Sequence, residues 1–201
     1  NDPVSGVNVY YYSGGWQFFG TTDAAGIATM TGLTGTLQFK ASYGGYTETR
    51  TQNVDTNPIV IFQTKLVTVE LIDSNGDPIA GGVAYYYAGG WKYFGTTDTT
   101  GKCYLEMLPG TYSFKMSYAG YTQEKSYINI VTTPVVTFQT KLMEVEFIDS
   151  DFMPICCAPV YYYAGGWKFF GNTGPLGTVY KGLLPGSYKF KIYYEGYSQE
   201  K

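Results

Sequence analysis

The stretch YYYAGGWKYFGTTDTTG, Tyr85 to Gly101, decides the reading of this chain. It puts six aromatic residues in its first ten positions, and it occurs three times. The earlier copy is YYYSGGWQFFGTTDAAG (Tyr10 to Gly26), and the later one is YYYAGGWKFFGNTGPLG (Tyr161 to Gly177). The tryptophans set the period: Trp91 minus Trp16 is 75, and Trp167 minus Trp91 is 76. The match runs well past them. LPGTYSFKMSYAGYTQEK (Leu108 to Lys125) returns as LPGSYKFKIYYEGYSQEK (Leu184 to Lys201), with a looser first copy, LTGTLQFKASYGGYTETR (Leu33 to Arg50). PIVIFQTKLVTVELIDSNGDPI (Pro58 to Ile79) returns as PVVTFQTKLMEVEFIDSDFMPI (Pro134 to Ile155). So long a period, spelled in strand-like text, predicts an array of small β domains and not a solenoid of short turns.

Alternation and turn residues place the strands of one repeat. LVTVELID (66–73) alternates, and SNGDP turns the chain. GVAYYY (82–87) ends at Gly89-Gly90, a hairpin signal, and WKYFGTT (91–97) returns. DTTG is a second turn, KCYLEML (102–108) follows, and Pro109-Gly110 turns the chain again. TYSFKMSY (111–118), TQEKSYINI (122–130) and VVTFQT (135–140) complete about seven strands, which suits a sandwich. The predicted fold is all-β: three small Ig-like β-sandwiches end to end, the first and last incomplete. The predicted domains are 1–65 (lacking its first strand), 66–141, and 142–201 (lacking its last strands). Only Lys65-Leu66 or Lys141-Leu142 separates the last strand of one repeat from the first of the next. Without a Gly/Ser-rich or Pro-rich linker, the expected joints are stiff.

Composition excludes several function classes. Charged residues are 14% of the 201 residues, against ~25% in ordinary globular chains. There are 22 Tyr and 26 Gly. Net charge is −3 and the Lys and Arg are scattered, which does not suit a phosphate backbone. No run reaches the ~18 apolar residues of a membrane helix. The chain has no His, so the usual general base and the commonest neutral metal ligand are missing. Ser, Thr and Cys therefore have no His to activate them, and no enzyme activity, cofactor or metal is expected. The three Cys do not recur from copy to copy: Cys156 and Cys157 match Ala80 and Gly81, and Cys103 matches Ala28 and Val179. They are expected to be incidental thiols and not a disulfide framework. Asn-x-Ser/Thr sequons are absent. The chain opens on Asn and starts and stops partway through a repeat, as expected of a processed product or part of something longer.

The text GTTDTTGKCYLEMLPGTYSFKMSYAGYTQ resembles the carboxypeptidase regulatory-like and collagen-adhesin B-type modules. The matching positions are Thr97, Asp98, Gly101, Leu108, Pro109, Gly110, Tyr112, Gly120 and Tyr121. The resemblance covers nearly the whole chain, three times over. It implies a transthyretin-like sandwich and a place in extracellular stalks, adhesin shafts or pilus-like appendages, mostly prokaryotic and without catalysis of their own. Two departures stand in the third copy. Phe152 occupies the Gly76 position, which predicts a different turn, and Gly174 replaces Asp98. Some B-type modules carry a Lys–Asn isopeptide bond promoted by a buried acid. Glu106 would be that acid, but its counterparts are Thr31 and Gly182.

The candidate site is the aromatic hairpin. Alternation sends Val7, Val9 and Tyr11 to one face, leaving Tyr10, Tyr12, Trp16, Tyr85, Tyr87, Trp91, Tyr161, Tyr163 and Trp167 as the outward set. Three uses are open for it. The rings could pair across strands to strengthen small domains. They could form subunit contacts, multiplied along a rod. They could stack on sugar rings, which would make the chain a carbohydrate-binding array. Asp23, Asp73, Asp77 and Asp98 read as turn formers and not as calcium ligands, because Asp98 and Asp77 are lost in the third copy. The expected function is structural: part of an extracellular or cell-surface stalk, fibre or filament. The expected partner is the protein itself, head to tail, by strand completion and hairpin contacts, or a continuation of a longer repeat chain. Glycans are the alternative partner. Nucleic acid and membrane insertion are not expected.

Overall fold

Period-2 alternation with abundant β-branched and aromatic residues leaves little for a helix to use. The computed structural model describes residues 3–201, and Asn1 and Asp2 lie outside the described residues. All regular structure in it is β. The first repeat holds β1 (Asn8–Tyr12), β2 (Trp16–Thr21), β3 (Thr36–Tyr43) and β4 (Tyr46–Asn53). The second holds β5 (Lys65–Ile72), β6 (Val83–Tyr87), β7 (Trp91–Thr96), β8 (Lys102–Met107), β9 (Thr111–Tyr118), β10 (Tyr121–Asn129) and β11 (Val135–Gln139). The third holds β12 (Lys141–Glu146), β13 (Pro159–Tyr163), β14 (Trp167–Asn172), β15 (Thr178–Leu183), β16 (Phe190–Tyr194) and β17 (Tyr197–Glu200). The strands read from the second repeat's text are all present, with ends shifted by a residue or so.

The second repeat forms two sheets, ordered β10-β9-β6-β7 and β11-β5-β8. All pairs are antiparallel except β11 with β5, which is parallel. Alternate residues close the core between them: Val67, Val69 and Leu71 from β5, Phe114 and Met116 from β9, and Phe138 from β11 are fully buried. The third repeat has the matching sheets β14-β13-β16-β17 and β12-β15. The first repeat has the sheet β2-β1-β3-β4. Its segments 27–32 and 59–63, counterparts of β8 and β11, form no strand. The whole is an array of small β-sandwiches.

The aromatic hairpin carries a bulge in every copy. Ala84 pairs with Gly95 and Tyr85 with Tyr93, which leaves Phe94 unpaired between them. The same shift falls at Phe19 and Phe170. The extra residue points inward, and Phe94 and Phe170 are buried. A strand that is aromatic on both faces is thus explained: its outer rings stay in the hairpin, and its Phe enters the core.

Two expectations are corrected. Phe152 does not change its turn. It takes the left-handed conformation of Gly76 (φ +63° and +96°). Its N–H donates to the Asp149 carbonyl at 3.2 Å, as that of Gly76 does to Asp73. Asp149 Oδ1 holds the turn by accepting from the Asp151 and Met153 amides, and the Phe152 ring hangs in solvent. The second correction concerns the thiols: Cys156 and Cys157 are joined in a disulfide between neighbours. Cys103 is free and buried. Burial, with Asp98 adding to it, pushes its thiol up to about 11, so it stays protonated and unreactive at neutral pH.

Candidate functional site

The site with the most built-in geometry is the joint between successive repeats, and it forms twice. One side is a knob. β3 and β4 are connected by Gly44-Gly45, both left-handed (φ +61° and +84°), in a two-residue turn. Ala119-Gly120 makes the same turn between β9 and β10 (φ +53° and +84°). Tyr46 and Tyr121 follow these turns. The other side is a socket on the next repeat, built from the tip of the aromatic hairpin and the Leu-Pro-Gly corner before β9 or its counterpart.

Four contacts recur. The Tyr86 hydroxyl donates to the Gly44 carbonyl at 2.8 Å, and that of Tyr162 donates to Ala119 at 2.8 Å. The Tyr46 ring lies 4.0 Å from that of Tyr112, and Tyr121 lies 4.9 Å from Tyr188. Leu184 of the third repeat is buried within the core cluster of the second. Leu108 likewise borders the interior of the first repeat and is buried. Finally, the glycine of each Leu-Pro-Gly lies against the incoming ring. A Cβ on Gly110 would stand 3.0 Å from Tyr46 Cε1, and one on Gly186 would run into the Tyr121 ring. At the first joint the Tyr46 hydroxyl also donates to the Thr111 carbonyl, at 2.5 Å.

Each corner tyrosine is pinned from its own side as well. Tyr112 donates to the Leu108 carbonyl at 2.8 Å, and Tyr188 to Leu184 at 2.6 Å. A hydroxyl reaching back four residues fixes the corner that presents Leu and Gly to the neighbour. Burial is the main cause that raises these phenols, with the neighbouring tyrosines adding to it. Tyr188 is pushed up to about 12, and Tyr112, Tyr86 and Tyr162 are raised too. All four are therefore neutral donors across the physiological range. A gap of about 160 Å³ remains at the first joint, bordered by Tyr43, Tyr86, Tyr112 and the half-buried Glu106.

The chain itself tightens the second joint. Thr140 alone separates β11 from β12. It is fully buried, and its N–H donates to the Ile72 carbonyl at 3.0 Å.

The outward aromatic rings pair with one another within each hairpin. Tyr12, Tyr87 and Tyr163 meet Trp16, Trp91 and Trp167 edge to face, each pair 5.5 Å apart. Tyr10, Tyr85 and Tyr161 meet Phe18, Tyr93 and Phe169 in the same way. A lysine caps every indole: Lys40, Lys115 and Lys191 place Nζ 4.3, 4.3 and 4.2 Å from the rings of Trp16, Trp91 and Trp167. A sugar stacking on these faces would have to displace that ammonium. The turn acids are engaged locally. Asp23, Asp73 and Asp98 each use Oδ1 to accept backbone amides two and four residues on.

Sequence reasoning missed the middle tyrosine of YYY, the Tyr after the Gly turn and the Leu of Leu-Pro-Gly as joint residues. The available signal was the triple recurrence of three separate motifs that strand pairing alone does not require. The fold and this site define a tandem β-sandwich protein whose repeats interlock end to end.

No family model and no curated protein matches the chain. Among solved structures it is similar to the Bacillus anthracis TIE protein, with 15% identity and a TM-score of 0.29, over 100% of this chain and 45% of that one. It is also similar to a streptococcal ancillary pilin, with 12% identity and a TM-score of 0.29, over 83% of this chain and 67% of that one. The chain thus spans less than half the length of the first.

Proposed function

We propose that this chain is a load-bearing segment of an extracellular stalk or surface filament, built from sandwich repeats locked head to tail. The observation that carries the reading is the double occurrence of one joint, with the same hydroxyl bond, ring pair, buried leucine and glycine contact each time. A freely hinged array does not need such a joint. Knob and socket also sit at opposite ends of β9, since Tyr112 lies next to its first residue, Thr111, and the Ala119-Gly120 turn follows its last residue, Tyr118. Repeats added this way extend in a line. A strand of eight residues spans roughly 27 Å, so each repeat adds about 30 Å of rod. The surface location rests on the sequence resemblance.

The test is small-angle X-ray scattering on the 201-residue chain. A single stiff rod profile is expected, with interdomain flexibility appearing when Tyr46 and Tyr121 are both changed to Ala. A wild-type profile that fits only an ensemble of bent shapes would end the reading.

A further inference from the structure

The first repeat holds an open apolar cleft of about 590 Å³. Its floor is the inner face of the β1–β3 sheet, with Val9, Phe39 and Ala41, and Leu108 closes one end. Its rims are the two segments that form no strand, 27–32 and 59–63. Four large apolar residues on those rims face solvent: Ile27, Met30, Ile59 and Ile61 are 55%, 39%, 66% and 64% exposed. Among the described residues, the backbone of 60–63 forms no backbone hydrogen bond. So large an unpartnered apolar surface beside unpaired main chain is costly in water.

The second repeat shows what fits. There the counterparts of the two rims are β8 and β11, and β5 lies between them, antiparallel to β8 and parallel to β11. Val67, Val69 and Leu71 of β5 fill the space between the sheets and are fully buried. The third repeat places β12 against β15 in the register of β5 against β8. The cleft of the first repeat thus has the shape, the apolar lining and both edge partners of a β5 site, without the strand.

We propose that this cleft is a strand-acceptor site. Its occupant is a strand of β5 type, with apolar residues at alternate positions, that a further repeat of this same sequence offers free and not folded into its own core. It enters antiparallel to 27–32 and parallel to 59–63, turning both rims into ladder strands. Affinity comes from main-chain hydrogen bonds on two edges, and selectivity from the three inward side chains. The proposal rests on the repeat-rod reading, because the donor is another repeat.

The experiment uses the whole chain and a labelled peptide with the sequence of Leu66–Asp73. Saturable binding by fluorescence anisotropy is expected, together with new hydrogen-exchange protection at 27–31 and 59–63. A peptide with Ser at the Val67, Val69 and Leu71 positions should bind at least tenfold more weakly. The chain carrying Ile27→Glu and Ile61→Glu should also bind more weakly, because the two carboxylates would flank Glu70 of the bound strand where Lys102 and Thr137 flank it in the second repeat. Both side chains are exposed, so circular dichroism should show an unchanged fold. No saturable binding, equal binding of the Ser peptide, or protection elsewhere on the chain would overturn the proposal. Scattering on the same peptide-free sample reports the rod independently, so failure of the acceptor site and failure of the rod are read separately.

Discussion

Single residues show how the repeat signature encodes contact between neighbours. Gly110 has an ordinary backbone conformation, so only space requires a glycine there. A methyl group would sit 3.0 Å from the Tyr46 ring and 3.2 Å from the Tyr112 ring. Gly110→Ala should destabilise the joint by ~1–3 kcal/mol, the cost of overpacking a tight contact. Gly166→Ala is the control, because its Cβ would meet nothing within 4 Å. Denaturant unfolding of both variants checks the difference; equal losses would show that the ring contact is not what holds Gly110. Phe152 is the opposite case. Its side chain is 80% exposed and its backbone is left-handed, so nothing offsets the strain. Phe152→Gly should stabilise the chain by ~0.5–1 kcal/mol, after the added freedom of the unfolded chain is subtracted. A thermal midpoint that falls would count against this account.

At the scale of elements, β9 links two joints, and the corner tyrosine of each, Tyr112 at the first and Tyr188 at the second, makes it sensitive to alkali. The folded-state value of Tyr188 lies near 12, above the ordinary tyrosine value, and that of Tyr112 is raised as well. Below about pH 10 both phenols are neutral whether the chain is folded or not, and their contribution is complete. Above it the unfolded chain loses protons first, so stability falls as pH rises toward 12. Thermal midpoints should be flat from pH 7 to 9 and drop between 10 and 12. The Tyr188→Phe variant, lower at neutral pH for want of its bond to Leu184, should drop less steeply.

The strands themselves were legible. TYSFKMSY and LVTVELID alternate so plainly that β9 and β5 follow from the text, and the Gly-Gly and Pro-Gly turns bound them. The outward position of Tyr12, Tyr87 and Tyr163 follows from the same alternation. The joint was not, because Tyr86 and Tyr46 lie 40 positions apart and a tyrosine facing inward reads as core. Phe152 misled because turn chemistry favours glycine, while Asp149 and the backbone impose the turn regardless. The adjacent cysteines misled because a framework argument looks for recurrence, and bonding between neighbours needs none.

For the whole molecule, the route of the backbone through the second repeat matters most. The chain arrives from the first repeat at the start of β5 and departs for the third at the end of β11. These two strands lie side by side and run the same way, with Thr68 to Ile72 matched to Val135 to Gln139. A pull on the two ends of the chain therefore drags these neighbours past each other lengthwise. Their hydrogen bonds are loaded together in shear and cannot be unzipped one at a time. We predict that force spectroscopy will give a high, sharp rupture peak for this repeat. Val136→Pro, which deletes an amide of that ladder, should lower the peak well beyond its effect on equilibrium stability. The parallel pairing of β5 with β11 acts as a tensile clasp, strongest along the axis on which a tether would be stretched.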